Sequence, residues 1–427
     1  MNRPRVRYLA AAFVVLAAVL GIQAATADQE VKAETVAEGP YEGHTLISVQ
    51  SYKLNGRLVV VNTSTNDVVW EYDPPNSRVF DAEQLENGNV LVAVTTKLPP
   101  SKCPEEHLQV ASKQCIQAKV LELDYPSKEV VWNYSWYDEY ITHHEVHDVD
   151  RLSNGETAIV DMGNDRAFTV NQQGEITWEW QAENHLAEGT EFHRKYGGPP
   201  DPGGEKDWTH MNDIDKLENG NFQLSVRNFD VVIEVSPKTN EIVDVVGRPG
   251  NHTVMNEQHN PDRLEGSNHL LVADSQNDRV VELNATTGDV VWKYGGKSLL
   301  HWPRDADRLP NGNTLITDTF NNRVVEINPD GEVVWRYEGV MMPYSADRMT
   351  VPENSTDTVP ATQFDSHFRD PNAATGMLQQ AEAYASFVFP GWVRLPELVT
   401  MAAMVVVALW LLGELAVGAY RDYASEE

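Results

Sequence analysis

Short apolar runs, some continuous and some alternating with polar residues, recur along this chain between turn-forming residues. The clearest unit, Asp305–Tyr337, reads DADRLPNGNTLITDTFNNRVVEINPDGEVVWRY. It holds four stretches of strand length: Arg304–Leu309, Asn313–Thr317, Arg323–Ile327 and Glu332–Tyr337. Pro310-Asn311-Gly312 and Asn328-Pro329-Asp330-Gly331 supply the turns between them. Related texts begin at Asp81, Asp148, Asp213 and Pro261. A Val-Val-Trp ending recurs at Trp70, Trp132, Trp292 and Trp335, with Trp178 as a variant, and the fourth unit breaks it at Asp244. The turn positions Gly43, Gly88, Gly155, Gly220, Ser267 and Gly312 lie 45, 67, 65, 47 and 45 residues apart. Four strands per unit at this period predict an all-β fold, a six-bladed β-propeller of four-stranded antiparallel blades over residues 43–350. Insertions stretch two gaps, one holding the cysteines and one covering 182–208. The first unit begins at its second strand, and the missing Asp-X-Asp-Arg-Leu-like piece reappears as Ser345–Met349. That piece is expected to complete the first blade and close the ring, which leaves only short protected edges.

Two longer apolar runs frame the propeller. Residues 1–27 combine Arg3, Arg5 and Arg7, an apolar run from Leu9 to Ile22, and Ala25-Thr26-Ala27, which reads as an export signal or an uncleaved anchor. Residues 396–420 have the length of a membrane span, with Glu414 as the one charge from Leu398 to Tyr420 and Trp392 and Tyr420 as aromatic brackets. The basic start places the N-terminus inside, the propeller on the extracellular side of a cell membrane and the tail 421–427 inside. Residues 28–42 read as a linker. The polar, Pro-rich stretch 351–395 reads as a stalk with a short helix near Gly376–Phe387.

Charge then narrows the setting. The net charge is −31, from 64 acidic and 33 basic residues. This excludes nucleic acid as a partner, since such binding needs a basic footprint. An excess spread along the whole chain suits a halophilic, haloarchaeal source, because at about 1 M salt the Debye length is near 3 Å and self-repulsion is screened. Asn62, Asn133, Asn251, Asn284 and Asn354 open Asn-X-Ser/Thr sequons, as on an exported glycoprotein. Cys103 and Cys115 are the two cysteines, expected to form a local disulfide in the first insertion.

The units differ where chemistry can sit. The first strand of each propeller blade lines the central channel, so the same column in each unit converges on one volume. One place before the recurrent Asp this column reads Phe80, His147, Asn212, His259, Arg304 and Tyr344. His210 stands two residues before Asn212, on the same strand face. Such a set forms a polar, partly cationic pocket suited to an anion, with a neutral imidazole as nucleophile or base. The uniform columns, Asp81, Asp148, Asp213, Asn260, Asp305, Ser345 and the Asp-Arg pairs two residues on, read as scaffold joining neighbouring blades. His143-His144-Glu145-Val146-His147 could hold a metal only with ligands from other blades, and no metal is expected. His301 and Trp302 stand at the mouth of the last blade.

Asp207-Trp208-Thr209-His210-Met211-Asn212, the later Gln258-His259 and Ser225-Val226-Arg227 together resemble the aryl sulfate sulfotransferases of the ASST type. The resemblance covers roughly residues 43–350. It implies sulfuryl transfer from a phenolic sulfate ester to a phenol, by a ping-pong route through a sulfohistidine, with no cofactor and no nucleotide sulfate donor. It implies His259 as nucleophile, His210 and Arg227 as binders of the sulfuryl oxygens, His147 beside the leaving oxygen and Asn212 as orienting group. Arg304 and Tyr344 join them as substrate-binding residues. Thr239-Asn240 replaces the family's Thr-Gly, and the short segment before the first blade leaves no place for its N-terminal β-domain. The competing readings are a non-catalytic propeller that binds a cell-surface glycan or protein, a metal-dependent hydrolase or lactonase, and a quinone-dependent dehydrogenase.

Overall fold

The structure, a computed structural model, describes residues 4–26, 39–51, 53, 55–108, 114–203, 206–349, 351, 359–370, 385, 388–389, 393 and 395–423. Ala27, the linker 28–38, the Asn354 sequon, the tail end 424–427 and most of the helix expected near Gly376–Phe387 lie outside these. The chain divides into two compact units, Lys32–Asp370 and a unit formed by its two ends.

Six antiparallel sheets make up the larger unit. The last copy of the repeat shows how sequence becomes blade. Its strands run Pro303–Arg308, Thr314–Asp318, Arg323–Ile327 and Val333–Tyr337. The second is buried throughout and the third nearly so, because both faces of each sheet are covered by neighbouring blades. Outermost strands are half-exposed, as at Val68 and Val69. The recurrent Trp reaches across to the next blade: Trp335 Nε1 donates to Asn66 Oδ1 at 2.8 Å and Trp178 Nε1 to Asn240 Oδ1 at 2.6 Å. Asn240 has a left-handed φ of 59°. It therefore fills the turn that glycine would otherwise serve and adds an inter-blade acceptor.

The ring closes as the repeat count requires. Pro343–Arg348 pairs with His44–Val49, with Leu46 opposite Asp347, as the innermost strand of the first blade. Arg348 Nη2 meets Glu326 Oε2 at 2.8 Å with both side chains fully buried, and Glu326 Oε1 accepts the Tyr41 amide at 2.8 Å. Arg308 and Glu282 repeat the arrangement at 3.1 Å. The recurrent Asp-Arg pair is thus a blade-to-blade fastener.

The recurrent aspartates fasten too. Asp148 Oδ2 accepts the Ile214 amide and Asp305 Oδ2 the Ala346 amide, each at 2.7 Å. Asp81, Asp213, Asp262 and Asp307 join them around a partly open cavity of about 90 Å³. Burial first, then mutual repulsion, raises these carboxyls above their ordinary range, to about 7 at Asp262.

Residues 359–370, within the stretch read as a stalk, dock on the fifth blade. His367–Phe368 pairs in parallel with Val290–Gly295, the Ala361 amide donates to Glu282, and Arg308 lies over the Phe364 ring. Cys103 and Cys115 are joined as a disulfide in the second blade's insertion. The smaller unit holds two apolar helices, Pro4–Thr26 and Leu395–Tyr423, each long and apolar enough to cross a membrane. They pack together, with Arg5 Nη1 3.6 Å from Glu414 Oε1.

Candidate functional site

Each innermost strand carries a register shift at or beside the variable column. Val146 and Asp148 face consecutive residues, Asp161 and Val160, so His147 is the extra residue of a bulge. Asn212 and Arg304 are bulged the same way. A bulge re-aims a side chain without lengthening the partner strand. Here it brings the variable column together on the axis. The ring centroids of His147 and Tyr344 are 5.6 Å apart, those of His259 and Tyr344 6.4 Å, and those of Phe80 and His147 4.6 Å. Arg304 Cζ lies 5.4 Å from the Tyr344 ring and its guanidinium bonds Gln50.

His210 reaches the same volume by another route, and here the strand-face expectation is corrected. The strand begins at Met211, and His210 precedes it with a left-handed φ of 47°. Glu257, Trp302 and Met342 occupy the same place before their own strands with φ of 50°, 52° and 57°. The turn is therefore a recurring device, and its side chains form a second variable column. His210 lies 5.1 Å from His147 and 6.3 Å from His259 between ring centroids. The strand that carries His147 starts only at Val146, so His143, His144 and Glu145 precede it. His144 turns to Asp138 at 2.8 Å and Glu145 pairs with Arg78, away from the histidine cluster.

The motif residues divide into holders and presenters. Trp208 Nε1 donates to the Pro199 carbonyl at 3.1 Å, and Thr209 donates from its amide and hydroxyl to Asp165 Oδ1. Gln258, fully buried, donates to the Val231 carbonyl at 2.8 Å, and Asn212 Nδ2 donates to the Gln258 carbonyl at 2.9 Å. These bonds tie the fourth blade to its neighbours and fix His210 and His259 between them.

Arg227 takes a position that other blades use for structure. In three blades an Asp ends the second strand and clamps an Asn and an Arg of the following turn: Asp161 with Asn164 and Arg166, Asp274 with Asn277 and Arg279, and Asp318 with Asn321 and Arg323. The fourth blade has Val226, Phe229 and Val231 there instead. The residue after the Asp reads Met162, Arg227, Ser275 and Thr319. Arg227 Nη2 meets Glu257 Oε2 at 2.5 Å and Nη1 lies 3.7 Å from Asp207 Oδ2. Asp207 Oδ2 is 2.7 Å from His210 Nδ1.

Several polar atoms here are buried without a hydrogen-bond partner among the described residues: Arg227 Nε, His147 Nδ1 and Asn212 Oδ1. Buried polar groups are nearly always satisfied, so such a group of orphans marks where a ligand would supply the partners. Burial keeps the three imidazoles neutral. His147 and His259 are pushed well below the ordinary histidine value, by desolvation first and then by nearby positive charge. His210 is lowered to about 4 by desolvation and Arg227, against the pull of Asp207. Asp207 itself is held below the usual carboxylate range by His210 and Arg227 despite its burial.

His143, Asp207 and His210 offer ligand atoms within 4.8 Å of one another, the one such group among the described residues. Arg227 stands 3.7 Å from the shared Asp207 oxygen. Its charge opposes a cation there, so the cluster suits an anion better. An open cleft of about 610 Å³, lined by Pro199, Asp207, Trp208, Asn228 and Glu257, adjoins this end of the channel. The tighter cavity belongs to the aspartate end, whose lining holds no histidine among the described residues.

Sequence reading singled out His147, His210, His259, Arg227, Asn212, Arg304 and Tyr344, and the structure brings their elements to one end of the channel. It missed Asp207, Glu257 and Ser275 as partners. The signal was present as two more variable columns, at the residue before the first strand and the residue after the clamp Asp.

The chain matches the arylsulfotransferase (ASST) family over residues 67–253, and the family of the outer membrane protein assembly factor BamB over residues 250–369. No curated protein matches it. Among solved structures it is similar to a protein of unknown function from Bacteroides caccae, at 17% identity and a TM-score of 0.50, covering 72% of this chain and 98% of that one. It is also similar to a putative 6-phosphogluconolactonase from Bacteroides fragilis, at 12% identity and a TM-score of 0.43, covering 72% and 97%. A catalytically inactive virginiamycin B lyase from Staphylococcus aureus with quinupristin is 10% identical, with a TM-score of 0.41, covering 73% and 89%. The Bacteroides caccae likeness shows the fold alone.

Proposed function

We propose that this chain is an arylsulfotransferase of the ASST type that moves a sulfuryl group from a phenolic sulfate ester to a phenol through His259, with no nucleotide sulfate donor. The observation that carries the reading is the conjunction at one channel end of a neutral buried imidazole with the orphaned Arg227 Nε donor. A sulfate ester presents an electrophilic sulfur ringed by oxygens that need such donors. The family match over 67–253 holds His147, His210, Asn212 and Arg227 but stops short of His259.

In the first half-reaction the His259 lone pair attacks sulfur and the sulfur–aryl oxygen bond breaks. The aryloxide leaves beside His147 and takes a proton from solvent. Arg227 donates to the sulfuryl oxygens, whose charge redistributes in the transition state, and His210 joins it once the bound anion and Asp207 draw it into its charged form. In the second half a phenol oxygen attacks sulfur and the sulfur–nitrogen bond returns its electron pair to His259. The phenolic proton passes to His147, whose depressed basicity lets it go on to solvent. The mainly apolar helices at both ends tether the propeller outside a cell membrane, with the basic N-terminus inside.

Intact-mass analysis after exposure to 4-nitrophenyl sulfate without acceptor tests this. The expected result is a gain of one sulfuryl group, lost on adding phenol and absent from His259→Ala. No adduct and no turnover across a panel of aryl sulfates in high salt would overturn it.

A further inference from the structure

His259 opens the first strand of the fifth blade and Ser275 opens the turn after its second strand, and both are buried, at 2% and 0% exposure. Ser275 Oγ is 2.8 Å from His259 Nδ1 and 2.6 Å from the Pro303 carbonyl oxygen on the next blade. A serine hydroxyl has one proton, and a carbonyl oxygen can only accept. At 2.6 Å the Ser275 proton must point to Pro303, since two bare oxygens that close would repel.

The repeat supplies an internal control. Thr319 occupies the same column one blade on, and its hydroxyl donates to the Pro343 carbonyl at 2.9 Å. The aligned column in the first strand of that blade is Arg304, so the hydroxyl direction does not depend on a histidine. It belongs to the scaffold.

We infer that Ser275 is a positioning residue: its committed hydroxyl accepts the proton of His259 Nδ1 and so leaves the lone pair on Nε2, facing the channel. The reaction then proceeds through Nε2, and sulfur never bonds to Nδ1. The other two imidazoles have different partners at Nδ1. His210 faces the Asp207 carboxylate, which favours a charged ring, and His147 Nδ1 has no partner among the described residues. Among the three, His259 alone is held neutral and in one tautomer by a neutral acceptor. This fits the nucleophile's role and rests on the sulfotransfer reading for its consequence, though not for its geometry.

The test is nitrogen-15 NMR of histidine-labelled, full-length protein in detergent, with His259 assigned by its loss in His259→Gln. The resting wild type is expected to show Nδ1 protonated and Nε2 bare at neutral pH. Ser275→Ala is expected to move the tautomer ratio toward the other form by about fivefold, the worth of one neutral hydrogen bond, and to lower kcat with KM little changed. Ser275→Thr, which copies the hydroxyl of Thr319, is expected to restore both. A wild-type His259 protonated on Nε2, or a Ser275→Ala protein with an unmoved spectrum, overturns the inference. Because the spectrum is taken without substrate, a protein that shows the expected tautomer yet transfers no sulfuryl group refutes the proposed function and leaves this one standing. Digestion of the trapped adduct adds a second readout, since sulfur on Nδ1 would also overturn it.

Discussion

Replacing Arg227 with lysine keeps the positive charge and removes the geometry. Arg227 uses Nη2 on Glu257 at 2.5 Å, and its Nε is buried without an acceptor among the described residues. Lysine offers one charged point, which the Glu257 carboxylate would retain, so no donor is left for the sulfuryl oxygen. Removing one donor aimed at developing charge costs about 2.7–4 kcal/mol, or roughly 10²–10³ in kcat. The fold should notice far less. Glu257 keeps 33% side-chain exposure, and partly solvated pairs contribute about 1 kcal/mol or less. Nitrophenol release in high salt, measured over a range of donor concentrations, gives kcat and KM separately. Arg227→Lys is expected to lower kcat by that factor with KM little changed, since an interaction made mainly in the transition state acts on kcat. A thermal melt run alongside is expected to match wild type. An Arg227→Lys enzyme with wild-type kcat would refute the assignment of the orphaned Nε to the substrate.

Three further outcomes are expected. Arg348→Met leaves Glu326 buried and uncompensated and should cost about 3–5 kcal/mol in denaturant titration, with Arg348→Met/Glu326→Met recovering most of it; a single variant as stable as wild type would show that the closure does not depend on this pair. Asp215, Asp262 and Asp347 are raised from 3.8 to about 7. The folded protein therefore binds more protons than the unfolded chain between those values, and the stability these groups contribute is lost as pH rises through about 7. The melting temperature at constant salt should be higher at about pH 5.5 than at about pH 8, and the reverse order would refute the buried-proton account. Dialysis into dilute buffer is expected to unfold the protein through self-repulsion at −31, and retention of fold and activity there would refute the halophilic reading.

The architecture was legible because each unit solves the same packing problem and so repeats its spelling. Residues 304–337 alone predicted four strands, and the structure moves no end of them by more than one residue. The closing strand was legible as a missing line, since Ser345–Met349 had no other unit to belong to. The channel residues were legible as departures from a shared column. What failed was local backbone. His210 was given a strand conformation because period-two reasoning assumes extended residues, and a left-handed turn placed it elsewhere. The docking of 359–370 was hidden because its polar composition reads as solvated chain, while its partners, Glu282 and Arg308, lie far away in sequence. Ser275 escaped because a lone serine in a turn carries no signal until its column is set beside Arg227 and Thr319.

The closing strand also fixes when this protein can become whole. Residues 44–72 are made early, yet the strand that completes their sheet is about the last part of the propeller to be made, with Ser48 joined to Ser345 across 297 positions. Synthesis runs from the N-terminus, so the first blade waits with an open edge while five others assemble. Only a chain made as far as Arg348 can seal, and the C-terminal helix follows within some fifty residues. Synthesis of that apolar helix and completion of the ring therefore fall close together. A chain cut short before Pro343 would lack the closing strand and the C-terminal apolar helix alike, and so would mark itself as unfinished by an exposed sheet edge.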